Sequence, residues 1–420
     1  LAQFVIFRRI DELVTMSGVS EKRGRRPTTK DLGVIFDGAV VVEAGEIRWA
    51  GPERQLSNHV IKSLTGRASL EEVDCSGLSV LPAFVEAHTH SVFAGSRADE
   101  FEQRVQGATY QEISRSGGGI MSTVHHTRIA DERELMELLK SRVDAFVRQG
   151  VGTLEIKSGY GLDLETELKM LSVAGKVKGP RVVRTFLGPH ALPDGAIGCD
   201  EYLDEVIESM LPVVMKGKLA ERADIFIEKG FFSLEQGKRY LEAAKELGFG
   251  LTGHMDQLQR LRGGVLGAEL QAQSVDHLVH VSPEDVSQLS KSETVCVLLP
   301  TADFYLRMPY PPARDLLDAG ARVALATDFN PGSSPSWDLA LVGVLARVEM
   351  RMTLAEVMAA YTVNAAAALG LGDICGSIEA EKSADLILID GRWQDLFMQV
   401  GHLPVVESWV KGKRIFKSRS

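Results

Sequence analysis

Val80-Leu81-Pro82-Ala83-Phe84-Val85-Glu86-Ala87-His88-Thr89-His90 is an apolar run that ends in two histidines one residue apart. Val80 to Ala87 reads as a buried strand, and residues two apart on an extended chain point to the same side, so both imidazoles can meet one ion. The pattern recurs downstream. Short apolar runs at Gly152 to Ile156, Val182 to Leu187, Ala223 to Ile227, Gly250 to Gly253, Ser274 to Asp276, Val295 to Leu299 and Val323 to Thr327 read as further strands. Amphipathic segments lie between or after them, including Glu132 to Arg148, Glu165 to Val177, Leu234 to Leu247 and Leu339 to Met350. About eight strands alternating with helices predict an α/β fold of the (β/α)8 TIM-barrel kind rather than an open sheet.

The two ends read differently. Val34 to Phe36, Ala39 to Glu43 and Ile47 to Ala50 are short β-branched runs, with hairpin signals at Asp37-Gly38 and Gly45-Glu46. Ala384 to Ile389, Glu407 to Val410 and Arg414 to Phe416, around Lys411-Gly412-Lys413, repeat that character at the close. Two β-rich ends around a different middle predict one small β domain assembled from both termini. No short repeat or low-complexity tract interrupts the alternation.

At 420 residues the chain exceeds the size at which a single core usually stops growing, which a large barrel plus a second unit satisfies. A hydrophobic fraction of 45% and a charged fraction of 25% exclude a disordered or fibrous protein. The net charge of -10 disfavours a nucleic-acid partner, and the basic run Lys22 to Lys30 reads as a solvated loop. Cys75, Cys199, Cys296 and Cys375 are far apart without a CxxC pair, which suits a reducing compartment and offers no thiolate metal site. The opening apolar stretch lacks a signal-peptide cleavage site, and no run reaches the roughly 20 apolar residues of a membrane span, so the expected location is the cytoplasm.

His88 and His90, His254, His277 and Asp328 all fall at the C-terminal ends of candidate strands, where catalytic residues of this fold gather. Three histidines and a carboxylate form a nitrogen and oxygen set suited to Zn²⁺ or Fe²⁺, with room for a water. Such an ion lowers the pKa of its water toward about 7.

With Pro82 to His90 and Asp328 in these places, the chain resembles the amidohydrolase superfamily. Asn364-Ala365-Ala366, Gly376-Ser377-Ile378 and Ala384-Asp385-Leu386-Ile387 are similar to that superfamily's return into its β domain. Narrower similarity, to the imidazolonepropionase family, is carried by Phe93-Ala94-Gly95-Ser96-Arg97, Ser116-Gly117-Gly118-Gly119-Ile120, Lys157-Ser158-Gly159-Tyr160-Gly161-Leu162 and Thr327-Asp328-Phe329-Asn330-Pro331-Gly332-Ser333-Ser334. The resemblance implies a β-sandwich from residues 1–79 and 366–420 flanking a barrel at 80–365. It implies one divalent metal on His88, His90, His254 and Asp328, with Asp328 and His277 as catalytic groups. It implies substrate contacts from Arg97, Tyr160, His190, Gln257, Asn330, Gly332 and Ser333, and it suggests a homodimer. The implied reaction is hydrolysis of 4-imidazolone-5-propanoate to N-formimidoyl-L-glutamate, with Arg97 and Tyr160 as a carboxylate anchor.

Gln257 stands where some relatives have Glu; an amide cannot shuttle a proton, which leaves that task to other groups. Lys157 reads as a buried lysine paired with Glu155 rather than a carbamylated metal bridge. Gly117 to Gly119 reads as an active-site loop, Tyr110 equally as a border of the site or a loop-packing aromatic, and His59, His125, His126, His280 and His402 as surface or structural residues. Two other readings stand beside the leading one. Deamination of a heterocyclic ring would leave Arg97 without a carboxylate to hold, and a non-catalytic barrel would be expected to lose metal ligands that this chain keeps.

Overall fold

The computed structural model describes residues 4–57, 61, 70–108, 112–113 and 118–418; His59, Tyr110 and Gly117 lie outside them. The chain opens with β1 (Phe4–Val14), β2 (Val34–Glu43), β3 (Glu46–Pro52), β4 (Leu70–Asp74) and β5 (Leu78–Pro82). Asp37-Gly38 does not turn the chain; it lies inside β2, and the β1–β2 register slips between Phe7 and Ile10. The one extra residue lies on β1, at Arg8-Arg9, where Arg9 takes a positive φ of 55°, and Asp37, at φ 50°, stays in register within β2 instead of reversing the chain. Gly45, at φ 90°, does make the expected hairpin between β2 and β3.

The middle supplies the barrel: β6 (Phe84–Glu86), β7 (Val151–Lys157), β8 (Arg181–Phe186), β9 (Arg222–Ala223) and β10 (Phe226–Ile227), β11 (Gly250–Leu251) and β12 (His254–Met255), β13 (Ser274–His277), β14 (Val295–Leu298) and β15 (Arg322–Leu325). All pair in parallel, in the orders β6-β7-β8-β9-β11 and β10-β12-β13-β14-β15. β9 with β10, and β11 with β12, are interrupted single positions, so eight staves result. The first meets the last at a bridge between Thr89 and Phe329, with His90 N donating to Phe329 O at 2.9 Å.

Helices form where the apolar period is helical. Glu132–Arg148 is capped by Asp131, whose side chain accepts from Glu134 N, and it buries Leu135, Leu139, Val143, Phe146 and Val147 along one face. The chain returns through β16 (Leu386–Asp390), β17 (Val405–Val410) and β18 (Lys413–Lys417) into one eight-stranded sheet, ordered β18-β17-β16-β5-β1-β2-β3 with β4 beside β1. Phe7, Leu13, Val40, Ile47, Val80, Leu388 and Trp409 share a core enclosed by this sheet, which is the β-sandwich holding both ends.

Val80 to Ala87 is therefore two strands, not one. Ala83 N donates to Asp385 O of the terminal sheet, and Phe84 N donates to Gly150 O beside β7. Successive strand N–H groups point to opposite sides, so one extended segment serves both sheets. The expected boundary at 79/80 falls inside β5, and that at 365/366 falls inside the helix Val363–Ala368.

The basic run near the start is a loop that is largely exposed, as expected, but two of its arginines are docked. Arg25 donates to the carbonyls of Ser290, Ser292 and Gly320, and Arg26 to those of Asp318 and Ala319. Guanidinium groups suit these helix-end carbonyls, which have no partner within their own helices. No helix among the described residues is long and apolar enough to cross a membrane.

Candidate active site

β6 ends where the apolar run gives way to His88-Thr89-His90, and the strand alternation turns both imidazoles inward. His254 lies within β12 and His277 ends β13; Asp328 follows β15. The five groups converge. His90 Nε2 is 3.1 Å from His254 Nε2, and Asp328 Oδ1 is 3.3 Å from His88 Nε2 and 3.5 Å from His90 Nε2. His88, His254 and His277 form one set able to hold an ion, and His88, His90 and Asp328 another; they share His88.

The donor chemistry fits a divalent metal. His88 Nδ1 contacts Asp276 Oδ2 at 2.6 Å and His254 Nδ1 contacts Asp224 Oδ1 at 3.0 Å, which leaves each Nε2 lone pair directed inward. His88 Nε2 is buried without a hydrogen-bond partner, as are both ring nitrogens of His277. Such orphaned atoms are costly unless a ligand completes them. Burial holds His88, His90 and His277 well below the usual imidazole pKa, so they are neutral, the form a metal requires. Burial pushes the Asp328 carboxyl well above the ordinary carboxylate range.

His277 and Asp328 carry positive φ of 77° and 51°. Residues other than glycine rarely adopt that region, so the surrounding packing holds both of these backbone turns against some strain.

A cavity of about 450 Å³ opens over the cluster, lined by His90, His254, Asp328, Arg97, Tyr160, His190, Gln257, Asn330 and Ser333, with apolar walls from Ile120, Phe226, Phe231, Leu258, Leu306 and Met308. His190 Nδ1 donates to Gly159 O at 2.8 Å, leaving Nε2 as an acceptor, and burial lowers its pKa to about 3. Its ring stacks 5.2 Å from that of His90. Arg97 is oriented by Glu100, which takes its Nε at 2.7 Å and also takes Gly119 N at 3.0 Å. Gly332 is needed here: a Cβ on it would lie 2.0 Å from Arg97 Nη1. Asn330 uses its side chain on the loop, accepting from Gly332 N and Ser333 N and donating to Asp328 O and Ser333 Oγ. Gln257 borders the cavity on a segment whose next two N–H groups, of Leu258 and Gln259, donate to buried Glu228. His125, His126 and His402 are exposed and His280 is half-buried, all apart from the cluster.

Lys157 is committed elsewhere than to a metal bridge. Its Nζ lies 2.8 Å from Glu155 and 2.7 Å from Asp224, so the ammonium is paired and no free amine remains for a carbamate.

Sequence reasoning missed the groups that hold the site in place. Asp224 and Asp276 support two histidines, and Glu167 accepts from Gly159 N, Gly161 N and Leu162 N to fix the loop bearing Tyr160. The available signal was a carboxylate inside an apolar strand, as in Ala223-Asp224-Ile225 and Val275-Asp276-His277, which is expensive unless paired.

Residues 79–415 match the amidohydrolase family. An imidazolonepropionase of Bdellovibrio bacteriovorus is 48% identical over 98% of this chain and 96% of its own length, and one of Clostridium tetani is 40% identical over 99% of both. Among solved structures, an adenosine deaminase of Xanthomonas campestris with bound zinc superposes with a TM-score of 0.71 at 17% identity, covering 98% of this chain and 92% of that one. A triazine hydrolase variant gives 0.71 at 15% identity over 98% of this chain and 94% of its own. The structural likenesses carry the fold alone; the sequence identities, spread over the full barrel and both flanking sheet segments, place this chain in the amidohydrolase family and, within it, among the imidazolonepropionases.

Proposed function

We infer that this chain hydrolyses the cyclic amide of 4-imidazolone-5-propanoate, giving N-formimidoyl-L-glutamate. The observation that carries this reading is the convergence of His88, His90, His254 and Asp328 beside a cavity with Arg97 and Tyr160 on its wall. Those four residues would hold a Zn²⁺ or Fe²⁺ ion, whose chemistry would be to make a water acidic enough to serve as nucleophile at neutral pH.

The protein's own groups do the rest. Arg97, its plane set by Glu100, pairs with the propanoate carboxylate, and Tyr160 donates to it. His190 Nε2 accepts from a ring N–H, and the Gln257 amide can donate to and accept from the ring. Asp328 takes a proton from the attacking water while His277, neutral in its buried position, donates an N–H to the developing oxyanion. The carbon–nitrogen bond then breaks as the proton on Asp328 passes to the leaving ring nitrogen. Water has been added across the amide, and Asp328 returns to its starting state.

The test follows the ultraviolet absorbance of freshly made 4-imidazolone-5-propanoate with metal-replete and chelated protein. Metal-dependent loss of the ring absorbance, with N-formimidoyl-L-glutamate as product, is expected. Decay at the spontaneous rate with metal bound would overturn the substrate assignment.

A further inference from the structure

The mechanism leaves the buried ammonium of Lys157 without a task. Lys157, at the end of β7, is fully buried, and its Nζ lies 2.7 Å from Asp224 Oδ2, 2.8 Å from Glu155 Oε1 and 3.8 Å from Asp276 Oδ2. Asp224 places its other oxygen 3.0 Å from His254 Nδ1, and Asp276 places Oδ2 at 2.6 Å from His88 Nδ1. A single ammonium therefore stands behind two histidine–aspartate pairs that come from separate staves of the barrel.

We propose that Lys157 is a positioning residue for the metal site: a shared counter-ion that, through Asp224 and Asp276, sets the orientation and tautomer of His254 and His88. The inference rests on the metal reading given above. A metal-binding imidazole needs its second nitrogen held by an acceptor, which fixes the ring and strengthens the donor. Here both acceptors are buried carboxylates near one another, and without a cation they repel in a medium that screens little. Rotation of either would carry its histidine with it. An ammonium suits the place because it is a compact charge with three donors, whereas a guanidinium is planar and larger.

Glu155 anchors the lysine itself. Its carboxylate accepts from Thr89 N at 3.1 Å and lies 3.6 Å from Arg222 Nη1, and it touches no imidazole among the described residues. The third imidazole, His90, has no partner on Nδ1, so the lysine acts on two of the three histidines. That asymmetry gives the proposal a signature.

The experiment compares the wild-type chain with Lys157→Met, which keeps length and removes charge. Zn²⁺ affinity is read by chelator competition, the visible bands of the Co²⁺-loaded protein report the ligand field, and circular dichroism checks the fold. Zn²⁺ binding weakened about 10- to 100-fold, with shifted Co²⁺ bands in a folded protein, is expected. A folded variant that binds Zn²⁺ within about threefold of wild type, with unchanged bands, overturns the proposal.

Should that variant not fold, Glu155→Gln/Lys157→Met removes one buried charge of each sign, and it is read against Glu155→Gln alone. The same loss of affinity between the two is expected, and equal affinity overturns the proposal. If the wild-type chain itself binds no Zn²⁺ or Co²⁺, the metal reading falls and this inference with it; equal binding by wild type and variant removes only the role of Lys157.

Discussion

Asp328 joins two duties at one carboxylate, since it lies within 3.5 Å of two imidazole nitrogens and beside the cavity. Asp328→Asn keeps the shape and removes the proton acceptor, so turnover should fall by about 10²- to 10⁴-fold, measured with metal content quantified on the same sample. Substantial activity at full metal occupancy would assign the proton transfer elsewhere. A second buried acid, Asp303, has no partner for Oδ1, and burial raises its pKa to about 8. Because the folded value lies above the unfolded one, its contribution to stability is most favourable below pH 3.8 and is lost as pH rises toward 8. Asp303→Asn escapes that loss. Its stability relative to wild type should therefore grow by about 1.4 kcal/mol per pH unit between pH 4 and 8, read from urea unfolding at pH 5, 6.5 and 8. A pH-independent difference would mean that the acid does not titrate in this window.

At the scale of elements, four of the staves deliver the clustered polar groups at their C-terminal ends, and loops that follow shape the cavity. The loop after β15 does so through Asn330, which folds Asp328 to Ser333 onto itself and brings Gly332 against Arg97. Gly332→Ala would drive the guanidinium from its place. KM should rise about tenfold with kcat changed less than about threefold, because the anchor holds substrate and transition state alike. A fall in kcat at constant KM would place Gly332 in the chemistry instead. Asp37-Gly38 teaches the opposite lesson about local signals: a hairpin dipeptide became plain strand because β1 continues alongside it.

Across the whole molecule, the segment after β1 reaches under the barrel and ties Arg25 and Arg26 to carbonyls that precede β14 and β15. Those contacts lie at the N-terminal face of the strands, the end concerned with stability rather than catalysis. Arg25→Ala should lower unfolding free energy by about 2 to 3 kcal/mol and leave kcat/KM unchanged. A loss of activity without a loss of stability would contradict a purely clamping role.

Several features were legible in the residues alone. The period of the apolar runs marked eight staves and their helices, and Glu132–Arg148 has the bounds its amphipathic pattern predicts. His88, His90, His254, His277 and Asp328 stood out because polar groups ended apolar strands, and the structure draws all five together. Strand period and strand ends are local properties, written in consecutive residues. The supporting groups were legible only in part: Glu155 and Lys157, two apart on one strand, read as a pair, whereas Asp224 and Asp276 acquire meaning only when separate staves close into a barrel and bring them within hydrogen-bond reach. The split of Val80 to Ala87 between two sheets, the docking of Arg25 and the extended course of Asp37-Gly38 likewise depend on distant partners. Local sequence determines which face a side chain can take; tertiary packing decides what that face meets.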